Sequence, residues 1–172
     1  MQMFTHRRAL LALTLVLLAS LSACGFKLRG EAQTSMPFKT IYLGFPPNST
    51  LGVELSRNIR AFGSTTIATD RKSAEAVLDV IQPERRGKAI LSMNGQGQVV
   101  EYTISYTFAF RVRDDKDREL LPPTTISLKH DLPFNAALAL AKEAEEESMY
   151  RDMQSDLVQQ ILRRLSAIKP LP

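Results

Sequence analysis

From Val100 to Val112 the chain alternates without a break. Val100, Tyr102, Ile104, Tyr106, Phe108, Phe110 and Val112 fall on one set of positions, and Glu101, Thr103, Ser105, Thr107, Ala109 and Arg111 on the other. A period of two puts successive side chains on opposite faces of a strand, whereas a helix would scatter this apolar set around its axis. The segment is therefore a strand with one buried face and one face that is wet or meets a polar partner. That pattern belongs to an antiparallel sheet covered on one side only.

The cover must come from elsewhere in the chain. Phe38 to Phe45 reads as a first strand, with Ile41, Leu43 and Phe45 on one face and Thr40 and Tyr42 on the other. Pro46, Pro47 and Asn48 end it, and Ser49 or Thr50 can cap a helix whose Leu51, Leu55, Ile59 and Phe62 recur at helical spacing before Gly63 stops it. Ala76 to Ile81 begins a second strand that continues to Met93 through a bulge or bend at Pro83 and Gly87. Asn94 to Gly97 and Asp114 to Asp117 are the turns on either side of the third strand. Leu120 to His130 supplies a fourth strand, which Pro122 and Pro123 assign to an edge or a bulge.

Asn135 to Ile168 reads as one amphipathic helix on the order of 50 Å long, opened by Pro133 and an Asn cap and ended before Pro170. Its stripe of Met149, Met153, Leu157, Ile161 and Leu165, joined by Val158 and Leu162, should cover the apolar face of the sheet. Lys142 with Glu146, and Glu147 with Arg151, are spaced as exposed pairs. The expected fold is a single α+β domain of order β-α-β-β-β-α, with two helices packed on one face of a four-stranded, mostly antiparallel sheet.

The N-terminus has a different character. His6, Arg7 and Arg8 precede an apolar run from Ala9 to Leu18 and a small-residue stretch to Ala23, the three parts of a secretory signal. The apolar run is too short for the roughly 30 Å hydrocarbon core of a bilayer. Leu21, Ser22, Ala23 and Cys24 match the lipobox of bacterial lipoproteins, in which the cysteine is lipidated and becomes the new N-terminus. Residues 1–23 are then a cleaved signal, 24–37 a lipidated tether and 38–172 the folded domain. Several acyl chains suit a permanent anchor, which one chain cannot provide. By resemblance to enteric lipoproteins, in which an aspartate at this position favours retention at the inner membrane, Gly25 implies export to the outer membrane. Cleavage takes Arg7 and Arg8 from 22 basic residues and nothing from 18 acidic ones, so the mature charge falls from +4 to +2.

Enzyme chemistry finds no constellation. His130 is the one histidine beyond the signal, and its neighbour Asp131 should point to the opposite face of the strand. Gly95 and Gly97 fit a hairpin turn better than a dinucleotide loop. The acidic run Glu143 to Glu147 reads as a solvated helix face. With a single cysteine, neither an internal disulfide nor a multi-cysteine zinc site is possible. Nucleic acid is excluded as a partner, because a secreted lipoprotein has little access to it and no stacking motif is present.

Three blocks carry a family resemblance: Cys24 to Arg29 after the lipobox, Gly97 to Tyr102 leading the third strand, and Ala137 to Glu143 continuing through Met149 and Tyr150 to Ile161–Leu165. On these the chain resembles the LptE family of lipopolysaccharide-assembly lipoproteins. The resemblance implies a non-enzymatic, lipid-anchored outer-membrane protein on the periplasmic side. It would plug and help assemble an LptD-type β-barrel and bind lipopolysaccharide. No cofactor is implied beyond the covalent lipid on Cys24. Lys142 matches a family lysine implicated in lipopolysaccharide binding. A second basic residue that the family places before the third strand is replaced here near Gly95, and Arg85, Arg86 and Lys88 are the candidates to supply it. An alternative is a barrel plug or chaperone that binds no glycolipid.

Overall fold

The computed structural model describes residues 36–169, so the signal, the lipobox, Cys24 and most of the tether lie outside the described residues. Strand β1 spans Thr40–Gly44, helix α1 Thr50–Phe62, β2 Thr66–Ile67, β3 Ala76–Met93, β4 Val99–Asp114, β5 Glu119–Pro133 and helix α2 Ala139–Ser166. Both helices pack on the same face of the sheet. Leu51, Leu55 and Ile59 of α1, and Leu157, Val158, Ile161, Leu162 and Leu165 of α2, share one core with Leu78, Phe108, Phe110 and Val112.

The sheet has five strands in the order β2-β1-β3-β4-β5, one more than expected, and it is mixed. The additional strand β2 is two residues long, too short to carry any period, and pairs parallel with β1 through Thr40 opposite Thr66 and Ile41 opposite Ile67. It is pinned from outside by the Thr66 amide donating to the Lys39 carbonyl (2.8 Å) and the Ala68 amide to the Ile41 carbonyl (2.8 Å). Strands β1 and β3 are parallel as well, because α1 carries the chain back to the end from which β1 started. Only β3, β4 and β5 form the antiparallel ladder that alternation predicts.

Turn and cap chemistry explains the boundaries. The Ser49 hydroxyl caps α1 by accepting from the Gly52 amide (3.0 Å), and Gly63 ends the helix at φ 69°, a left-handed conformation that costs glycine little. Pro122 and Pro123 lie on the edge strand, where the register against β4 shifts between Phe110 and Val112. Shifts between Val80 and Arg85 accommodate Pro83. Helix α2 starts later than its periodicity suggests: Asn135 caps a separate 3₁₀ turn, Ala136–Leu138, by accepting from the Ala137 amide (3.0 Å). Among the described residues no helix is long and apolar enough to cross a membrane.

The core is divided. Beyond the main cluster lies a second one of Ile104, Tyr106, Leu132, Tyr150 and Met153 under the first half of α2. Polar groups tie the two helices together near the boundary. Gln154 donates to Glu54 (2.6 Å), and its amide oxygen accepts from Thr50 (3.0 Å) and from the Tyr106 hydroxyl (3.3 Å). Burial of two further atoms is less well matched, since Glu84 Oε2 and Arg164 Nη1 have no hydrogen-bond partner among the described residues.

Candidate functional site

Strand β3 outruns its neighbour. Its last residue in register with β1 is Asp79, so from Val80 to Met93 its outer edge has no strand beside it, and the first half of α2 lies over this narrower part of the sheet. An unpaired strand edge invites non-native pairing, and charged side chains are a usual defence. Here the charges also build a site.

Arg86 and Lys88 are in register with Tyr106 and Ile104, which are helix-facing, so both cations point toward α2. Arg86 Nη1 meets Glu147 at 2.7 Å, and its guanidinium carbon sits 4.7 Å from the Tyr150 ring centroid and 5.9 Å from that of Tyr106. Lys88 Nζ meets Glu146 at 2.5 Å and lies 4.4 Å from the Tyr102 ring. The Tyr150 hydroxyl donates to the Gly87 carbonyl at 2.7 Å, fastening the helix to the strand between the two cations. One turn earlier on α2, on the face that carries Glu146, Lys142 Nζ meets Glu145 at 2.7 Å. Aromatic faces attract cations, so the tyrosines fix where the positive charges stand as firmly as the glutamates do.

Two of the four cations proposed from sequence, Arg86 and Lys88, thus come together between β3 and α2; Lys142 stands one turn along the helix, paired within α2, and Arg85 is outside the group. Arg85 is in register with Thr107, on the face turned away from the helices. The pairs read from helical spacing also change: Glu146 and Glu147 reach across to Lys88 and Arg86, which leaves Arg151 without an ion pair among the described residues. Sequence reasoning passed over Tyr150, although its spacing to Met153 and Leu157 places it on the buried stripe. It also took the glutamate run for solvent-facing charge, because a partner on another strand leaves no mark in helical spacing. His130 and Asp131 do diverge, in register with Ile104 and Thr103 on opposite faces.

Electrostatics favours the charged Arg86 guanidinium and the neutral Tyr106 and Tyr150 phenols. Partial burial works against the Arg86 charge, but the hydrogen bond and charge of Glu147 outweigh it and raise its pKa. Burial pushes the Tyr106 and Tyr150 phenols up, aided by Glu84 and Glu146 respectively and opposed by Arg86. Both tyrosines are neutral donors at any physiological pH.

Beside the charges lies an apolar rim. Ile90, Leu91, Met93 and Val100 near the β3–β4 turn are exposed, as are Leu138 and Leu140 at the start of α2. The Phe134 amide donates to the Val100 carbonyl (2.8 Å), which brings the chain leading into α2 alongside that end of the sheet. Among the described residues no group of acidic, histidine or cysteine side chains is arranged to hold a metal ion.

A model of the LptE lipopolysaccharide-assembly family matches residues 38–165, the whole sheet and nearly all of α2. The chain belongs to the LptE family. The LPS-assembly lipoprotein LptE of Yersinia enterocolitica is 27% identical over 171 residues, covering 95% of this chain and 77% of that one. The solution structure of lipoprotein B from Nitrosomonas europaea is 40% identical, with a TM-score of 0.71, over 83% of this chain and 91% of that one. Rare lipoprotein B from Shewanella oneidensis shares the fold at 23% identity and a TM-score of 0.64, over 75% of this chain and 95% of that one. LptE-family membership makes this chain a non-enzymatic lipoprotein of the Gram-negative envelope with a role in lipopolysaccharide transport.

Proposed function

We propose that this LptE-family protein is anchored in the outer membrane through lipid on Cys24, pairs with an LptD-type β-barrel as its plug and assembly factor, and binds lipopolysaccharide on its way to the outer leaflet. The observation that carries the glycolipid part is the meeting of Arg86 and Lys88 between β3 and α2, with Lys142 one helical turn before Glu146 and the exposed residues Ile90, Leu91, Met93, Leu138 and Leu140 at that end of the domain. Lipopolysaccharide combines anionic phosphates with acyl chains, and cations beside apolar surface complement both. Charge-assisted hydrogen bonds to phosphate are the stronger class, and arginine adds bidentate geometry. Polar side chains on the helix-free face of the sheet suit the lumen of a large barrel, which is itself polar.

Binding by Lys142→Asp tests this reading. The purified variant should retain several-fold less lipopolysaccharide than wild type with an unchanged circular dichroism spectrum, because Lys142 pairs only with a neighbouring helix residue. Unchanged binding by a folded variant would remove Lys142 from the site. The Arg86–Glu147 and Lys88–Glu146 ion pairs also favour a second reading, in which these cations only stitch α2 to β3 in a plug that binds no glycolipid. Wild-type protein free of lipopolysaccharide after extraction would favour that reading.

Anchoring has its own test. Cys24→Ala should accumulate as an uncleaved precursor some two dozen residues longer than the mature chain, since cleavage at a lipobox follows lipidation of its cysteine. Normal processing and normal outer-membrane fractionation of that variant would overturn the anchor.

A further inference from the structure

On the sheet face turned away from both helices, three arginines converge on one carboxylate. Asp79 is in register with Arg111, and alternation puts Arg113 on the same face, opposite to Leu78 and Val112. Arg113 grips Asp79 through Nε (2.8 Å) and Nη2 (2.6 Å) and also meets Asp117. Arg71, from the 3₁₀ turn Arg71–Ser73 ahead of β3, reaches the other oxygen at 2.9 Å. Arg111 makes only one long contact, Nε to Asp79 at 3.4 Å.

The donors outnumber the acceptors. Each guanidinium carries five N–H groups, while an ionised carboxylate offers about four lone-pair sites. Arg113 and Asp79 satisfy each other and are largely covered, at 17% and 15% side-chain exposure. Arg71 and Arg111 remain 48% and 39% exposed, with most of their donors unspent and a net positive charge between them. Buried pairing explains Arg113, but it does not explain two further arginines turned outward on the same centre.

We infer that Arg71 and Arg111 receive a carboxylate from a partner protein that docks flat on this open face of the sheet. The inference rests on the barrel pairing proposed above and assigns the side of the domain that meets the partner. The rest of the face is polar and suits such a partner: Thr103, Ser105 and Thr107 of β4 lie beside Asp131, Lys129 and Ser127 of β5, and Arg85 of β3 stands across from Thr107. Ile81, two residues beyond Asp79 on β3, adds one exposed apolar side chain beside the cluster. An anionic membrane surface would meet Asp70, Glu75, Asp115 and Glu119 as well as Lys72, Lys116 and Arg118, a mixed field with no basic excess beyond the arginine cluster. Two arginines on a rigid sheet instead suit one discrete carboxylate, which they can hold in bidentate fashion.

Co-expression of the full chain with the LptD-type barrel of the same organism, followed by detergent extraction and affinity purification, tests this. Wild type should retain the barrel. R71E/R111E should retain at least tenfold less and the neutral R71Q/R111Q an intermediate amount, with both variants keeping the wild-type circular dichroism spectrum. R71Q/R111Q guards against misfolding, since it adds no charge beside Asp79. Wild-type retention by both folded variants would overturn the inference while leaving the barrel pairing intact. Failure of wild type itself to retain the barrel would overturn the pairing and the inference with it. Phosphatidylglycerol vesicles that sediment wild type but neither variant would reassign the cluster to a lipid headgroup and so overturn the protein partner.

Discussion

Phe108→Ala is expected to destabilise the domain by about 3–5 kcal/mol, the range for truncating a buried aromatic side chain. Phe108 is fully buried, stacks on Phe45 with ring centroids 5.4 Å apart and on Phe110 at 5.6 Å, and lies in the cluster that both helices close over. Removing the ring leaves a cavity that two helices and a sheet cannot collapse into without separating. Against a total stability of about 5–15 kcal/mol for an ordinary domain, that loss is a large fraction. Chemical denaturation should show the midpoint falling with an unchanged slope. Thr107→Ala is the control one residue away on the opposite face, where only a 3.3 Å contact with Ser127 is lost, and it should stay within about 0.5 kcal/mol of wild type. Similar losses in the two variants would contradict the assignment of faces.

Glu146→Gln combined with Glu147→Gln should tighten lipopolysaccharide binding about three- to tenfold. These carboxylates occupy Lys88 and Arg86, so a lipid phosphate must displace them, and neutral glutamine competes less well. Both pairs are partly exposed, and such pairs contribute roughly 0–1 kcal/mol each, so the double variant should fold and melt close to wild type. The sign is the informative part. If the pairs serve only to hold α2 on β3, breaking them lowers stability and leaves binding unchanged or weaker. Titration of immobilised lipopolysaccharide with the two proteins at fixed ionic strength separates these outcomes.

Legibility in the sequence followed from the physics of each element. Strand β4 was readable because one face is buried along most of its length, from Ile104 to Val112, so burial and sequence share a period. Helix α1 was readable because capping at Ser49 and the stop at Gly63 agree with its apolar spacing. Strand β2 was not readable: two residues carry no period, and what holds it is backbone bonding to β1. The parallel pairing of β1 with β3 follows from the crossover through α1, which the element order contains but the expectation of a mostly antiparallel sheet passed over.

The site divides in the same way. Arg86 and Lys88 could be proposed from sequence because the resemblance called for a second basic residue there, but Arg85, equally basic and proposed with them, faces the other way once the bulge at Pro83 sets the register. Their glutamate partners lie 61 and 58 residues away, and the tyrosine rings beneath them come from β4 and α2. Contacts at that separation are settled by the packing of α2 over the free edge of β3. No local pattern encodes them.

The most direct measurement compares binding of intact lipopolysaccharide with binding of the same preparation after its phosphates have been removed, using the mature wild-type chain. Recognition through Arg86, Lys88 and Lys142 predicts that dephosphorylation weakens binding at least tenfold and that raised salt weakens only the intact form. Equal affinity for the two forms, or no binding of either, would contradict a phosphate-recognition site between β3 and α2.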